Sequence, residues 1–145
     1  MAIASGMSTP SPARQRTLQL QERTFKFMCA ILKACPRTLH DVPSRTLWGQ
    51  LTRASMGSSG NLEEADEASS DADFISKMKI ALRETKEARR WLRAMRVCQL
   101  TGNDCGAGLE QEAGELAAIF AKIVINVKAR VERERQEKRQ GRAQR

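Results

Sequence analysis

Five basic residues, Lys79, Arg83, Lys86, Arg90 and Arg93, recur in alternating steps of four and three. On a helix that spacing puts all five side chains on one face. Their shared chemistry is the capture of phosphate, with Lys as a compact charge and Arg as a planar fork. Such contacts give affinity to RNA or DNA without reading base sequence. The plain alternative is a solvated face, since charged outer positions are routine on packed helices. Ordinary faces mix their signs, however, because like charges one turn apart repel by roughly 0.2–0.5 kcal/mol per pair. Glu84 and Glu87 relieve part of that repulsion from neighbouring positions. Apart from Trp91 at one edge, no aromatic residue is interleaved with the stripe, so base stacking on a single strand is not the expected mode. Trp91 and Trp48 are expected at helix or subunit interfaces.

Other reactive side chains assemble into little. Glu63, Glu64, Asp66 and Glu67 form an acidic run, but a di-iron bundle also needs Glu-x-x-His pairs. The single histidine, His40, falls in a loop beside Asp41 with no nucleophile nearby. The acids are therefore expected to pair with Lys or Arg of a neighbouring helix or subunit. Cys29, Cys35, Cys98 and Cys105 contain no C-x-x-C pair, which argues against zinc and for thiols in a reducing cytoplasm. No phosphate-cradling glycine loop and no nucleophile elbow is present. The expectation is a protein that is not an enzyme and carries no cofactor and no metal.

The elements that must position the stripe follow from apolar rhythm. Phe74, Met78, Ala81, Thr85, Ala88, Leu92 and Met95 keep a seven-residue repeat behind the basic face. Leu47, Leu51, Ala54, Ser58, Asn61, Ala65 and Ala68 keep the same repeat with smaller side chains. A small-residue helix beside a large-residue one lets two axes approach closely. Gly57 and Gly60 inside it each cost about 1 kcal/mol against Ala, which close backbone packing would explain. Ser58 and Asn61 lie on that seam and, as buried polar groups, are expected to fix helix register. Ser70 with Asp73 reads as a capping box opening the third helix.

A first helix is predicted from about Thr17 to Cys35, ended by Pro36, with Leu18, Phe25, Met28 and Leu32 inward and Phe27 and Ile31 widening the stripe. A fourth carries Leu109, Ala113, Leu116, Phe120, Ile123 and Val127 after a loop over 101–108. The expected division is a disordered tail over 1–16, a bundle over 17–133, and a basic tail over 134–145 that frays.

The stretch from Gln50 to Leu92 also resembles a known family. Gln50, Leu51, Arg53, Ala54, Ser58, Asn61, Glu64 and Ala65, then Ser69, Asp73, Phe74, Ile75, Ile80, Ala81, Glu84 and Trp91, match its pattern. That family is the bacterial four-helix bundles that include the 23S ribosomal RNA intervening-sequence proteins. It is related to the accessory variability determinant that assists reverse transcriptases in diversity-generating retroelements. The close match spans about a third of the chain. It departs at Met56-Gly57-Ser58-Ser59-Gly60, where relatives carry Val or Ile and Ala. The resemblance implies a homopentameric, non-enzymatic bundle in which Ser58, Asn61, Glu64, Asp73 and Phe74 are structural motif residues.

Composition agrees with helices: no Tyr, four Phe and two Trp leave the core to Leu, Ile, Val, Met and Ala in a chain of 145 residues. The net charge of +8 suits a polyanionic partner. No apolar run approaches the ~18 residues of a membrane span, so no membrane role is expected. The expectation is an all-α, antiparallel up-down-up-down four-helix bundle in a ring-forming homo-oligomer. Extra apolar width in the outer helices (Phe27 and Ile31; Ile119, Val124 and Val131) would supply its contacts. Its function would be a nucleic-acid-binding scaffold, placed beside a reverse transcriptase. The rival is a protein–protein interaction module with no nucleic-acid role.

Overall fold

Ser11, Asp41 and Ser70 each turn extended chain into helix by the same device. Their side-chain oxygens accept the backbone N–H three residues on, at Arg14 (3.2 Å), Ser44 (2.8 Å) and Asp73 (3.1 Å). A cap of this kind contributes about 1 kcal/mol by satisfying a donor the helix cannot. Pro12 and Pro43 follow in the first turn, where the missing N–H costs nothing. The computed structural model describes residues 9–100 and 105–143, and these form α1 (Pro12–Ala34), α2 (Val42–Asp66), α3 (Asp71–Val97) and α4 (Cys105–Ala143), with no strand among them.

The helices pack as a four-helix bundle. The long seams are α2 with α3 and α3 with α4, while α1 lies against α2 and α4. The heptads of α2 and α3 stand as expected: Leu51, Ala54, Ser58 and Ala65 meet Met78, Ala81, Thr85, Ala88, Leu92 and Met95, all buried. One apolar cluster joins Phe27, Ile31, Trp48, Leu92 and Leu116, and a second joins Leu62, Met78, Phe120 and Val124. Gly57 lies under the Glu84 side chain, where an added Cβ would come within 3.1 Å of Cγ. Gly60 differs: it faces open space, so packing does not require it.

Two helices depart from the expected reading. α1 starts at Pro12 rather than Thr17, because Ser11 caps it and Arg14 reaches Asp66 of α2 at 2.5 Å. It is also rotated. Phe27 and Ile31 are core residues, with Thr24 buried beside them, whereas Leu18 (41%), Phe25 (45%) and Leu32 (41%) are exposed. The rotation accords with ion pairs on the same side of α1 as Phe27: Arg23 Nε meets Glu112 of α4 at 2.6 Å, and its Nη2 meets Glu115 at 2.5 Å. Those carboxylates hold the Arg23 guanidinium more firmly protonated than usual, chiefly through the hydrogen bond to Glu112.

α4 begins at Cys105, inside the expected loop, and continues to Ala143 instead of fraying at Glu134. Intrahelical pairs such as Arg130–Glu134 (3.2 Å) and Gln136–Glu132 (3.1 Å) accompany that extension. Residues 1–8, 101–104 and 144–145, parts of the expected tails and loop, lie outside the described residues.

Candidate nucleic-acid interface

α3 positions the basic stripe because its opposite side is locked into the core. Met78, Ala81, Thr85, Ala88, Leu92 and Met95 are buried, and a helix with one face so fixed must turn the other outward. Lys79, Arg83, Lys86, Arg90 and Arg93 are all exposed. At 100° per residue they fall within an arc of about 80°, along a ridge of about 21 Å. Arg83 Nη2 meets Glu84 at 3.2 Å. Among the described residues, Lys79, Lys86, Arg90 and Arg93 have no carboxylate within ion-pair distance.

Of the acids beside the ridge, Glu84 pairs with Arg83, and both Glu84 and Glu87 make further contacts away from it. Glu84 lies against Gly57 of α2, and Glu87 accepts the Trp91 indole N–H at 3.3 Å. Arg89 is diverted too, its guanidinium lying over Gly114 of α4. Arg96 is held by Glu110 at 2.8 Å, which pulls the Glu110 carboxyl below the usual range, mainly through that hydrogen bond. The outward cations are thereby sorted from those spent on holding helices together.

The motif residues stand apart from this face. Ser58 Oγ and Thr85 Oγ1 are 2.7 Å apart in the α2–α3 seam. The Asn61 amide donates to the Gly57 carbonyl of its own helix at 2.9 Å, a bond within α2 rather than across the seam. Glu64 pairs with Lys77 of α3, and Asp66 with Arg14, so the acidic run partly serves as helix glue. Asp73 completes the cap at Ser70 by accepting from the Ser69 N–H at 3.2 Å. Phe74 is half-buried against the second cluster. Trp48 is buried in the first cluster, and Trp91 is half-buried at its edge. Asp41 caps α2 beside the exposed His40, and its carboxyl is held below the usual range by the Ser44 N–H.

Sequence periodicity missed one feature beside the ridge. Asp71, Ala72 and Ile75, at the start of α3, line a cleft of about 730 Å³ with Lys128, Val131, Glu132, Glu134, Arg135 and Lys138 of α4. Ala72 and Ile75 also line a groove with Lys79 and Arg83. Only the extension of α4 past the start of α3 creates it. The signal available in sequence was the absence of any Gly or Pro between Gly114 and Gly141. Among the described residues, no helix is long and apolar enough to cross a membrane, and no three His, Cys, Asp or Glu side chains cluster to hold a metal.

A crystal structure of a protein of unknown function from the S23 ribosomal protein family of Bacteroides thetaiotaomicron is similar, with a TM-score of 0.67 and 21% identity. The similarity covers 74% of this chain and 96% of that one, and at this identity it speaks for the fold. The comparison with curated proteins finds no match. The profile of 23S rRNA-intervening sequence proteins matches residues 16–122, most of the bundle, and the chain belongs to that family.

Proposed function

We propose that the chain is a non-enzymatic scaffold that holds RNA or DNA by its phosphates on the outer face of α3. The observation that carries this reading is the exposure of Lys79, Lys86, Arg90 and Arg93 with no paired acid among the described residues. Cations left free by a folded protein are available to displace the counterions of a polyanion, the main source of sequence-independent affinity. The helices run up-down-up-down and antiparallel, a reading supported by Asp71–Arg130 and Arg96–Glu110 at opposite ends of α3 and α4.

The protein works as a homo-oligomer, five copies by the family resemblance, so that weak phosphate contacts are multiplied. Support for assembly comes from Leu18, Phe25 and Leu32, an exposed apolar line one heptad apart on α1. The kinship of the α2–α3 motif with the accessory variability determinant supports a role beside a reverse transcriptase. Free thiols at Cys29, Cys35 and Cys98 suit a reducing cytoplasm.

The test is fluorescence anisotropy with a labelled RNA duplex, comparing wild type with the triple variant Arg83→Glu, Lys86→Glu and Arg90→Glu. Wild-type affinity is expected to fall steeply between about 50 and 200 mM salt. The variant should lose binding while keeping helicity and assembly. A wild type that binds no nucleic acid at low salt would leave the face as a dock for an acidic protein.

A further inference from the structure

We infer that the phosphate-binding surface does not end at Lys79 but crosses the cleft at the start of α3 and follows the outer end of α4 to Arg142. This rests on the nucleic-acid reading above and extends it to a second helix. Arg130 of α4 meets Asp71, the first residue of α3, at 2.6 Å. Beyond that level α4 runs on through Ala143, about 20 Å of helix. Every residue of that extension except Val131 is exposed.

Charge along this extension is sorted by face. At 100° per residue, Lys128, Arg135, Arg139 and Arg142 share an arc of about 60°. Glu132 is the one acid bordering it. Glu137 lies on the other side with Arg133, while Glu134 borders the cleft and is held by Arg130 at 3.2 Å. Arg130 thus engages two of the three acids of the cleft, Asp71 and Glu134, and Lys128, Arg135 and Lys138 have no ion pair among the described residues.

The basic side also faces the right way. Lys128, Arg135 and Lys138 line the cleft together with Asp71, Glu132 and Glu134; its opposite wall is Ala72 and Ile75, and those two residues lead directly to Lys79 and Arg83. Two basic rows therefore adjoin across one shallow apolar floor. Counted along the bundle from Arg93 to Asp71 and from Arg130 to Arg142, they reach about 50 Å. That matches about 15 phosphate steps of one strand at 3.4 Å each.

A polyanionic rod fits this surface better than a protein helix does. From Glu132 to Arg142 the extension carries no apolar side chain other than the chain's own methylenes. An amphipathic partner would have no seam to bury there, whereas phosphates need only the charges. The absence of stacking aromatics favours a duplex over a single strand.

The experiment uses the full chain and a labelled RNA duplex of about 24 base pairs, long enough to span both rows. One variant carries Arg135→Gln, Arg139→Gln and Arg142→Gln. A charge-matched control carries Arg16→Gln, Lys26→Gln and Lys33→Gln on α1, which makes no seam with α3. The α4 variant is expected to bind roughly tenfold more weakly, with a slope of log K against log salt shallower by about 2–3. The control should change far less. Equal losses in both variants would reduce the effect to net charge and overturn the inference. So would unchanged binding by the α4 variant while reversal of the α3 face abolishes it, a result that keeps the proposed function. Wild type that binds no duplex removes both together.

Discussion

Ser58 and Thr85 join hydroxyl to hydroxyl at 2.7 Å in the fully buried seam between α2 and α3. Thr85 already gives its only proton to the Ala81 carbonyl at 2.7 Å, so Ser58 must be the donor between them. This buried polar link sits, in sequence, between the two apolar clusters and ties α2 to α3 at one register. It also explains why Ser58 can occupy a position that packing alone would give to Ala.

Removing the acceptor leaves the donor buried and unpaired. Thr85→Val is therefore expected to destabilise by about 1–3 kcal/mol, while Ser58→Ala with Thr85→Val should lie closer to wild type. Urea unfolding of the two singles and the double measures the coupling. Strict additivity would mean that the pair does not act as a unit. Ser58→Leu or Ala54→Leu should cost about 1–3 kcal/mol by forcing the helices apart.

The two glycines of α2 should respond differently. Gly60→Ala meets nothing within 4 Å and should stabilise by about 1 kcal/mol through helix propensity. Gly57→Ala places its methyl against the Glu84 side chain, so the same gain is offset by crowding. Equal melting temperatures for the two variants would count against that distinction.

Rotation of α1 separates core from assembly. Phe27→Ala should destabilise the fold by about 3–5 kcal/mol, since Phe27 is buried. Changing Leu18, Phe25 and Leu32 to Gln should instead yield a folded monomer by light scattering. Loss of the fold, or an unchanged assembly, would remove that stripe as the intersubunit surface.

Acid should loosen the junction of α3 and α4. Arg96 depresses the Glu110 carboxyl in the folded protein, so its stabilisation is present above the unfolded value, about 4.3, and is lost as pH falls through the folded one. Arg96→Gln should lower Tm near neutral pH, and its gap from wild type should narrow as pH falls below the unfolded value of Glu110. A gap independent of pH would assign the loss to something other than Glu110.

The sequence by itself determined four helices, the buried faces of α2 and α3, the cap at Ser70, and the outward turn of Lys79 to Arg93. Each depends on residues a few positions apart, where the period of the helix or one side-chain hydrogen bond decides the outcome. Tertiary structure decided the rest. α1 carries apolar residues on two faces, Leu18–Phe25–Leu32 and Thr24–Phe27–Ile31, and its own period does not choose between them. The choice accords with Arg23 reaching Glu112 and Glu115, 89 and 92 residues away. The end of α4 likewise gains its meaning from Asp71, which marks where the bundle stops and free helix begins. Local propensity sets what a segment becomes; only contacts between segments distant in sequence set which of its faces is left to meet a partner.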